Sequence, residues 1–244
     1  MRSIILLAST ISFAATKPLQ RRADTSQCPY SLPDGSYEFP HLIIPYNNSD
    51  TPVGPSYFAE VSPNDCGTIF NFDIPPSRAN QQCSVYFTFP RHDQLATSDF
   101  RWNGNQTNSE GPGTLQLVQY QYNTGATSTT TGHTLPPRGP DSPVTLNNVA
   151  PGNSYKVWSG SCGPSSVMSW DLSSPDSSLM YFQDWNPCAI GVWVIYDGGQ
   201  AGTQPSCGHC PDDKMFTSHA AWMQAYTGDA NMDLDAMMNR LSIA

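Results

Sequence analysis

Short segments in which apolar and polar residues alternate recur along most of the chain. In the segment TIFNFDIP, Phe70, Phe72 and Ile74 share one face of an extended strand, while Asn71 and Asp73 share the other. Such alternation, with aromatic and β-branched residues between Pro and Gly turns, predicts β-strands. The segments with this pattern are FPHLIIPYN, SYFAEVS, TIFNFDIP, CSVYFTFP, GTLQLVQYQYN, NSYKVWSG, VMSWDLSS, SLMYFQDW and AIGVWVIYD. They predict an all-β protein, an antiparallel β-sandwich of about eight or nine strands.

Both ends of the chain differ from this β-rich body. Arg2 and the apolar run IILLASTISFAA predict a secretion signal, and the dibasic pair Arg21-Arg22 predicts a processing site after it. At the other end, a Gly-rich linker and a Met-rich segment predict a short tail that is weakly helical or disordered. We therefore divide the chain into a signal peptide with a short dibasic-terminated pro-segment (1–22), a sandwich domain (23–197) and a linker with its tail (198–244).

The charge of the chain excludes some partners. The formal net charge is −9, and removal of Arg2, Lys17, Arg21 and Arg22 leaves seven basic and twenty acidic residues, a net charge of −13. Such a surface repels phosphate backbones and anionic lipids, so we expect no nucleic-acid partner. After the signal, no apolar run is long enough to predict a membrane span.

Residues 124–143, TGATSTTTGHTLPPRGPDSP, have a low-complexity composition. Segments this rich in Thr, Pro and Gly bury little apolar surface by themselves. The composition therefore predicts a mobile, O-glycosylated loop that projects from the sandwich. The sequons at Asn47 and Asn105 add two candidate sites for N-linked glycans on surface loops.

Seven cysteines in a secreted chain predict disulfides, and because the number is odd, at least one is free or intermolecular. Cys83 shares the inward face of a predicted strand with Val85 and Phe87, and Cys162 lies at the end of another strand. We expect these two cysteines to form a bridge that ties the facing sheets together.

The segment Cys207-Gly208-His209-Cys210 has the spacing of a redox dithiol. That chemistry needs a strand before the motif and a helix that begins at it, and a Gly-rich linker precedes the motif here. A zinc site would need two further ligands, and no second CxxC occurs. We expect Cys207 and Cys210 to pair with each other, or with Cys66 or Cys188.

Catalytic motifs are weak. Asp73 and Asp184 are the candidates for a glycosidase carboxylate pair, but each alternates with aromatic residues on a strand, where Asp more often caps a turn. The chain has no GxSxG nucleophile motif and no phosphate-binding Gly-rich loop. We therefore assign no catalytic residue, no metal ligand and no cofactor.

Aromatic residues are dense for a β-domain, and Tyr86, Tyr120 and Tyr122 fall on the polar faces of their strands. If these rings are exposed, they form a surface on which sugar rings can stack. Ordinary packing of the sandwich core is the alternative interpretation.

Three segments carry a resemblance to a known family. FPHLIIPYN (39–47), TIFNFDIPPSRANQQCSVYFTFP (68–90) and YFQDWNPCAIGVWVIY (181–196) resemble the C-terminal domain of the ubiquitin-3-binding But proteins, and PGNSYKVW (151–158) fits between them. The resemblance covers residues 28–197. It implies an all-β domain that is largely fungal, secreted or on the cell surface, with no established enzymatic activity. The family name implies an intracellular partner, the activating enzyme of a ubiquitin-like modifier.

Together, these observations predict a secreted, non-enzymatic glycoprotein of the fungal cell wall or extracellular space that binds a cell-wall polysaccharide or an extracellular protein. Two other functions stay open. An exposed carboxylate pair in a groove would favour a glycan hydrolase. Retention of the N-terminal segment on the mature protein would favour an intracellular adaptor of the ubiquitin-like pathway.

The signal peptide and the dibasic pair give a first prediction. We expect the secreted protein to begin at Ala23, with Thr16 or Ala15 as the first residue if only the signal peptidase acts. N-terminal sequencing of protein from the culture medium measures this directly. Recovery of extracellular protein that begins at Met1 would contradict the prediction.

Overall fold

The computed structural model describes residues 28–105, 111–141, 143–164 and 166–197, which form strands joined by turns and loops. Within these ranges, no helix has the length and apolar composition that a membrane span requires. The described residues contain twelve strands. In chain order they are β1 Tyr37–Glu38, β2 Leu42–Tyr46, β3 Phe58–Val61, β4 Gly67–Asp73, β5 Gln82–Phe89, β6 Phe100–Asn103, β7 Gly113–Gln119, β8 Val144–Val149, β9 Asn153–Ser161, β10 Val167–Ser173, β11 Ser178–Phe182 and β12 Gly191–Tyr196.

The strands form three antiparallel sheets. Sheet A has the order β1-β12-β5-β9, sheet B the order β2-β4-β10-β7-β8, and sheet C the order β3-β11-β6. Neighbouring strands run in opposite directions in all three sheets. The predicted all-β antiparallel fold is confirmed.

All three sheets bury their inner faces in one central core. Alternation places Val85 and Phe87 of sheet A, Phe70 and Trp170 of sheet B, and Tyr181 of sheet C in this core. Burial of large apolar side chains between facing sheets is what holds a β-sandwich together. The sandwich predicted from the alternating pattern is therefore present.

Each of the nine predicted segments contains a strand, and the structure adds three more. Strand β1 has two residues, too few to show alternation, whereas β6 alternates the buried Phe100 and Trp102 with Arg101 and Asn103 over only four residues. Strand β8 begins directly after the Thr- and Pro-rich segment and is exposed at three of its six positions. Pairing with neighbouring strands makes all three segments extended.

Central strands of sheets A and B are buried on both faces. Strand β12 is buried along its whole length, and β4 is buried from Gly67 to Phe72. In sheet A, Trp193 and Ile195 lie on the outer face and pack with Leu32 and Ala189. We call residues 28–37 the N-terminal cover because they lie over this face.

Sheet B is covered by residues 124–135, which we call the threonine-rich cover. A second outer core lies beneath it, formed by Ile44, Tyr46, Ile69, Val118, Tyr120 and Ala126. Leu135 of the same cover packs against this core. The cover supplies the apolar contact that the outer face of sheet B would otherwise lack.

The expectation of a loop that projects from the sandwich is wrong for these residues. The Asn71 side chain donates to the Ala126 carbonyl (2.8 Å) and accepts from the Ala126 amide (3.1 Å). The Gly132 amide donates to the Asn47 carbonyl (3.1 Å), and Thr130 and Thr131 are buried. Apolar residues below the segment, which its composition does not reveal, hold it against the sheet.

Two disulfides are present among the described cysteines. Cys83 and Cys162 form the pair expected from the sequence, with a Cα–Cα distance of 5.2 Å. Cys162 directly follows β9, which pairs with β5 in sheet A, so the bridge lies within one sheet and does not link facing sheets as expected. Cys28 and Cys188 form the second bridge, with a Cα–Cα distance of 5.3 Å.

The second bridge corrects the expected partners of the CxxC motif. Cys188 is occupied by Cys28, so it is not a partner for Cys207 or Cys210. Cys66 forms no bridge with another described cysteine. Cys207 and Cys210 lie outside the described residues, as do the predicted segments 1–22 and 198–244 with Arg21 and Arg22.

Removal of the Cys83–Cys162 bridge tests its structural role. The bridge closes a loop with a sequence separation of 79 residues, and the chain-entropy model assigns such a loop about 4 kcal/mol. We expect the Cys83→Ala/Cys162→Ala variant to lose about that much free energy of unfolding, measured with urea under non-reducing conditions.

The matched control is Cys207→Ala/Cys210→Ala, which we expect to unfold at the same urea concentration as the parent protein. The opposite result, in which the control loses its fold and the Cys83/Cys162 variant keeps the parent's stability, would contradict the prediction. It would show that Cys207 and Cys210, and not Cys83 and Cys162, are needed for the fold.

Candidate functional site

Most of the aromatic residues singled out in the sequence belong to the cores. Trp170 and Trp193 are fully buried, and Trp102 is buried in the central core. Tyr120 falls on the polar face of its strand but is buried, because the threonine-rich cover lies over it. Tyr86 and Tyr122 are half-buried. Packing therefore accounts for most of the aromatic content.

One group of rings stays partly exposed, on the outer face of sheet A. Tyr30, Tyr37 and Trp185 line a shallow cleft together with the polar residues Ser31 and Asn186. We call it the aromatic cleft, and its full lining is Cys28, Tyr30, Ser31, Leu32, Tyr37, Trp185, Asn186, Pro187 and Ala189. Its enclosed volume is only about 30 Å³. A ligand would therefore lie along the rings rather than inside a pocket.

The N-terminal cover builds one wall of the aromatic cleft. The Cys28–Cys188 bridge fastens this cover to the turn before β12, beside Trp185. Tyr30 packs on Tyr86 of β5, with ring centroids 4.6 Å apart, and Tyr37 meets the edge of Trp193 at 5.7 Å. These contacts hold the rings in place, which lowers the entropy cost of binding a flat ligand.

The Tyr30 phenol of the cleft stays uncharged at physiological pH. Burial, and then the nearby Tyr86, raise the pKa of Tyr30 to about 12. The lining contains no Asp, Glu, Lys, Arg or His among its described residues. The aromatic cleft is therefore a neutral surface of rings, hydroxyl groups and one carboxamide on a strongly acidic protein.

The outer face of sheet B contains a buried carboxyl group that sequence reasoning missed. Asp171 of β10 accepts hydrogen bonds from the Tyr46 hydroxyl at 2.9 and 3.0 Å. The Tyr120 hydroxyl faces the same carboxyl group outside hydrogen-bond geometry. Alternation in VMSWDLSS places Asp171 on the outward face of its strand. The sequence predicts that this face is exposed to solvent, because it does not show that the threonine-rich cover lies over it.

Strand register explains how Tyr46 reaches Asp171. Asp171 lies opposite Ile69, and Ile69 lies opposite Ile44, so Tyr46 stands one row further along the same face. Tyr46 pairs with Gly67. A β-carbon at Gly67 would lie 2.5 Å from the Tyr46 hydroxyl oxygen, so glycine is needed for the ring to lie across it.

Burial changes the titration of this carboxyl group. Loss of hydration raises the pKa of Asp171 to about 7, although the Tyr46 hydrogen bonds, the Arg138 charge and Tyr120 act in the opposite direction. Burial and the neighbouring Asp171 charge also raise the pKa of Tyr46 far above its ordinary value. Asp171 is thus a buried acid whose neutral and charged forms are both populated near pH 7.

The structure does not bring the two candidate carboxylates together. Asp73 ends β4 on the surface, where His41 Nδ1 lies 3.2 Å from its carboxylate. Asp184 is buried near the start of the turn that leads to β12, where it accepts hydrogen bonds from the Thr97 hydroxyl (2.5 Å) and the Trp185 amide (2.7 Å). Burial raises the pKa of the Asp184 carboxyl. Asp184 holds its turn together, the role expected of an Asp that caps local structure.

The remaining candidate sites have separate positions. Among the described residues, no group of His, Cys, Asp and Glu has the arrangement of a metal site. Asn47 is half-buried, and its side chain accepts hydrogen bonds from the Ser49 amide (3.1 Å) and hydroxyl (2.6 Å). Asn105 is exposed, and the rest of its sequon lies outside the described residues. Both sequons stay candidates for glycosylation.

Asp171 gives a prediction about pH. Its pKa is about 7 in the folded protein, against an ordinary value of 3.8, so the folded state binds the proton more tightly than the unfolded state. The stability it contributes is complete below about pH 4 and is lost as the pH rises through 7. We expect Asp171→Asn to remove up to about 4 kcal/mol from the difference in unfolding free energy between pH 4 and pH 8, at about 1.4 kcal/mol per pKa unit.

Urea unfolding at a series of pH values measures this difference. Asp93→Asn, at an exposed carboxylate next to Arg91, is the matched control, and it should keep the pH profile of the parent protein. A profile that is the same in Asp171→Asn and in the parent would show that Asp171 does not titrate as the geometry requires.

A comparison with protein families matches residues 38–187 to the ubiquitin 3 binding protein But2 C-terminal domain. Comparisons with curated proteins and with solved structures give no match. The match covers more than half of the chain, and it spans β1 to β11 and most of the turn that leads to β12. The chain therefore belongs to the family of the ubiquitin 3 binding protein But2 C-terminal domain.

Proposed function

We propose that this chain is a secreted, non-enzymatic protein of the cell wall or extracellular space that binds neutral glycans at the aromatic cleft. The observation that carries the proposal is the set of three partly exposed rings, Tyr30, Tyr37 and Trp185, in an uncharged cleft. Aromatic rings bind the apolar faces of sugar rings, and adjacent hydroxyl and carboxamide groups bind sugar hydroxyls.

The disulfides and the net charge support a neutral extracellular glycan as the ligand. Two disulfides are typical of proteins that fold in an oxidising compartment. The excess of acidic over basic residues repels acidic polysaccharides at long range. A neutral polysaccharide, of the kind found in cell walls, avoids this repulsion.

The lining of the aromatic cleft supports binding rather than hydrolysis. Hydrolysis of a glycosidic bond needs two carboxyl groups on opposite sides of the bond. The described lining supplies rings and neutral polar groups but no carboxylate. Asp184 is the next residue before Trp185, but its carboxyl group is engaged by Thr97 and by the backbone amides of its own turn.

The family name refers to the binding of ubiquitin 3, which suggests a protein partner. Phe39 gives some support to such a partner, because it is 39% exposed and meets the edge of Trp193 close to the aromatic cleft. Capture of a protein through this surface is the alternative that a binding experiment must separate from glycan binding.

A glycan array with the secreted protein tests the proposal. We expect binding to neutral oligosaccharides, and a loss of about thirtyfold in affinity in Trp185→Ala, because truncation of an anchoring aromatic ring costs about 2 kcal/mol. Tyr57→Ala is the matched control, since Tyr57 is 42% exposed and does not line the aromatic cleft.

Near-UV circular dichroism should show that each variant keeps the packing of the parent. Equal binding by the parent, Trp185→Ala and Tyr57→Ala, or binding to no glycan, would contradict the proposed site. Binding to a protein partner that Trp185→Ala abolishes, without glycan binding, would favour the alternative.

A further inference from the structure

A second cleft lies at one end of the outer face of sheet B. It is open to solvent, has a volume of about 220 Å³ and is lined mainly by hydroxyl, amide and carboxylate side chains. We call it the polar cleft. Its lining residues are Tyr46, Asn48, Ser62, Asn64, Asp65, Cys66, Gln116, Gly132, Leu135, Ser173, Ser174 and Pro175.

Two side chains form the floor of the polar cleft. Ser173 of β10 lies directly opposite Gln116 of β7, and both are half-buried. Leu117 and Leu172 point into the central core, so strand alternation directs Gln116 and Ser173 to the outer face. Neither side chain has a hydrogen-bond partner among the described residues. Polar groups that are half-buried and unpaired at a cleft are available to a ligand.

The walls of the polar cleft are held in place by hydrogen bonds. Tyr46 is held by Asp171, and the Asn64 carboxamide donates to the Pro175 carbonyl at 3.2 Å. Asn48 donates in turn to the Asn64 carbonyl at 2.9 Å. The threonine-rich cover supplies Gly132 and Leu135 on the remaining side. The shape of the polar cleft is thus set before a ligand binds.

Charge and shape select the class of ligand. Asp65 is the charged residue of the described lining, which contains no Lys, Arg or His, so phosphate and carboxylate groups are disfavoured. Burial raises the pKa of the Cys66 thiol, which therefore stays neutral. Hydroxyl, carboxamide and carboxylate groups together both donate to and accept from sugar hydroxyls. A volume below the 300 Å³ of the smallest drug-sized pockets suits one ring-sized unit.

We propose that the polar cleft binds a single neutral sugar unit through Gln116, Ser173 and Asp65. The aromatic cleft lies on the outer face of sheet A and the polar cleft on the outer face of sheet B, on opposite sides of the central core. One molecule therefore bridges two glycan chains. The bridging role rests on the proposed function of the aromatic cleft, while sugar binding by the polar cleft does not.

Calorimetric titration of the full secreted protein tests this inference with two probes, a hexasaccharide of N-acetylglucosamine and a hexasaccharide of β-1,3-linked glucose. The inference predicts two bound molecules per chain for at least one probe. Gln116→Ala/Ser173→Ala should weaken one site by tenfold or more, because it removes two hydrogen-bonding groups. The matched control is Gln82→Ala/Ser161→Ala, a cross-strand pair of the same two residue types at the edge of sheet A.

The outcomes separate this inference from the proposed function. Two sites, of which Trp185→Ala removes one and Gln116→Ala/Ser173→Ala the other, support both. A single site that Trp185→Ala removes would contradict sugar binding by the polar cleft and leave the proposed function intact. A single site removed by Gln116→Ala/Ser173→Ala keeps sugar binding at the polar cleft but overturns bridging and the proposed function. If neither probe binds, or if all variants bind equally, sugar binding by the polar cleft is contradicted.

Discussion

Burial of both faces of the central strands is the constraint on which the rest of this structure depends. Strands β4 and β12 carry large apolar residues on both sides, so a two-layer sandwich alone would leave Ile69, Trp193 and Ile195 in water. Segments without regular secondary structure meet this need by packing on the outside of sheets A and B. Residues of each cover also line a cleft on the same face of the sheet.

Different interactions fasten the two covers. The N-terminal cover is joined covalently, through Cys28 and Cys188, to the turn that carries Trp185. The threonine-rich cover is held by apolar contacts and by the paired hydrogen bonds between Asn71 and Ala126. Under it, the Tyr46–Asp171 contact puts a carboxyl group where charge is costly. The position of this cover and the protonation of Asp171 are therefore linked in energy.

The amino-acid sequence predicts the inner faces of the sandwich well and the outer faces poorly. Phe70, Phe72, Val85 and Phe87 alternate with polar residues and lie in the central core as expected. The same rule places Asn71, Tyr120 and Asp171 in solvent, and all three are buried. Their burial depends on the threonine-rich cover, which is distant in sequence from Asn71 and Asp171 and whose composition gives no sign of packing. A rule based on neighbouring residues cannot register such long-range contacts.

The candidate sites, too, could be predicted only in part from the sequence. Cys83 and Cys162 could be paired from strand position, although the bridge lies within one sheet instead of across two. The aromatic cleft could not be predicted, because Tyr30 and Trp185 are brought together by the Cys28–Cys188 bridge. The polar cleft depends on the strand register that places Ser173 opposite Gln116. Neither the proximity of Tyr30 and Trp185 nor the position of Ser173 opposite Gln116 leaves a local pattern in the sequence.

The threonine-rich cover is a packed part of the fold. Hydrogen–deuterium exchange of the intact, deglycosylated protein tests it most directly, because the amides of Ala126, Thr130, Gly132 and Gly139 all donate hydrogen bonds. We expect peptides from residues 124–139 to exchange slowly, on a time scale approaching that of β4. Exchange of these peptides at the rate of an unstructured chain, while β4 stays protected, would contradict it.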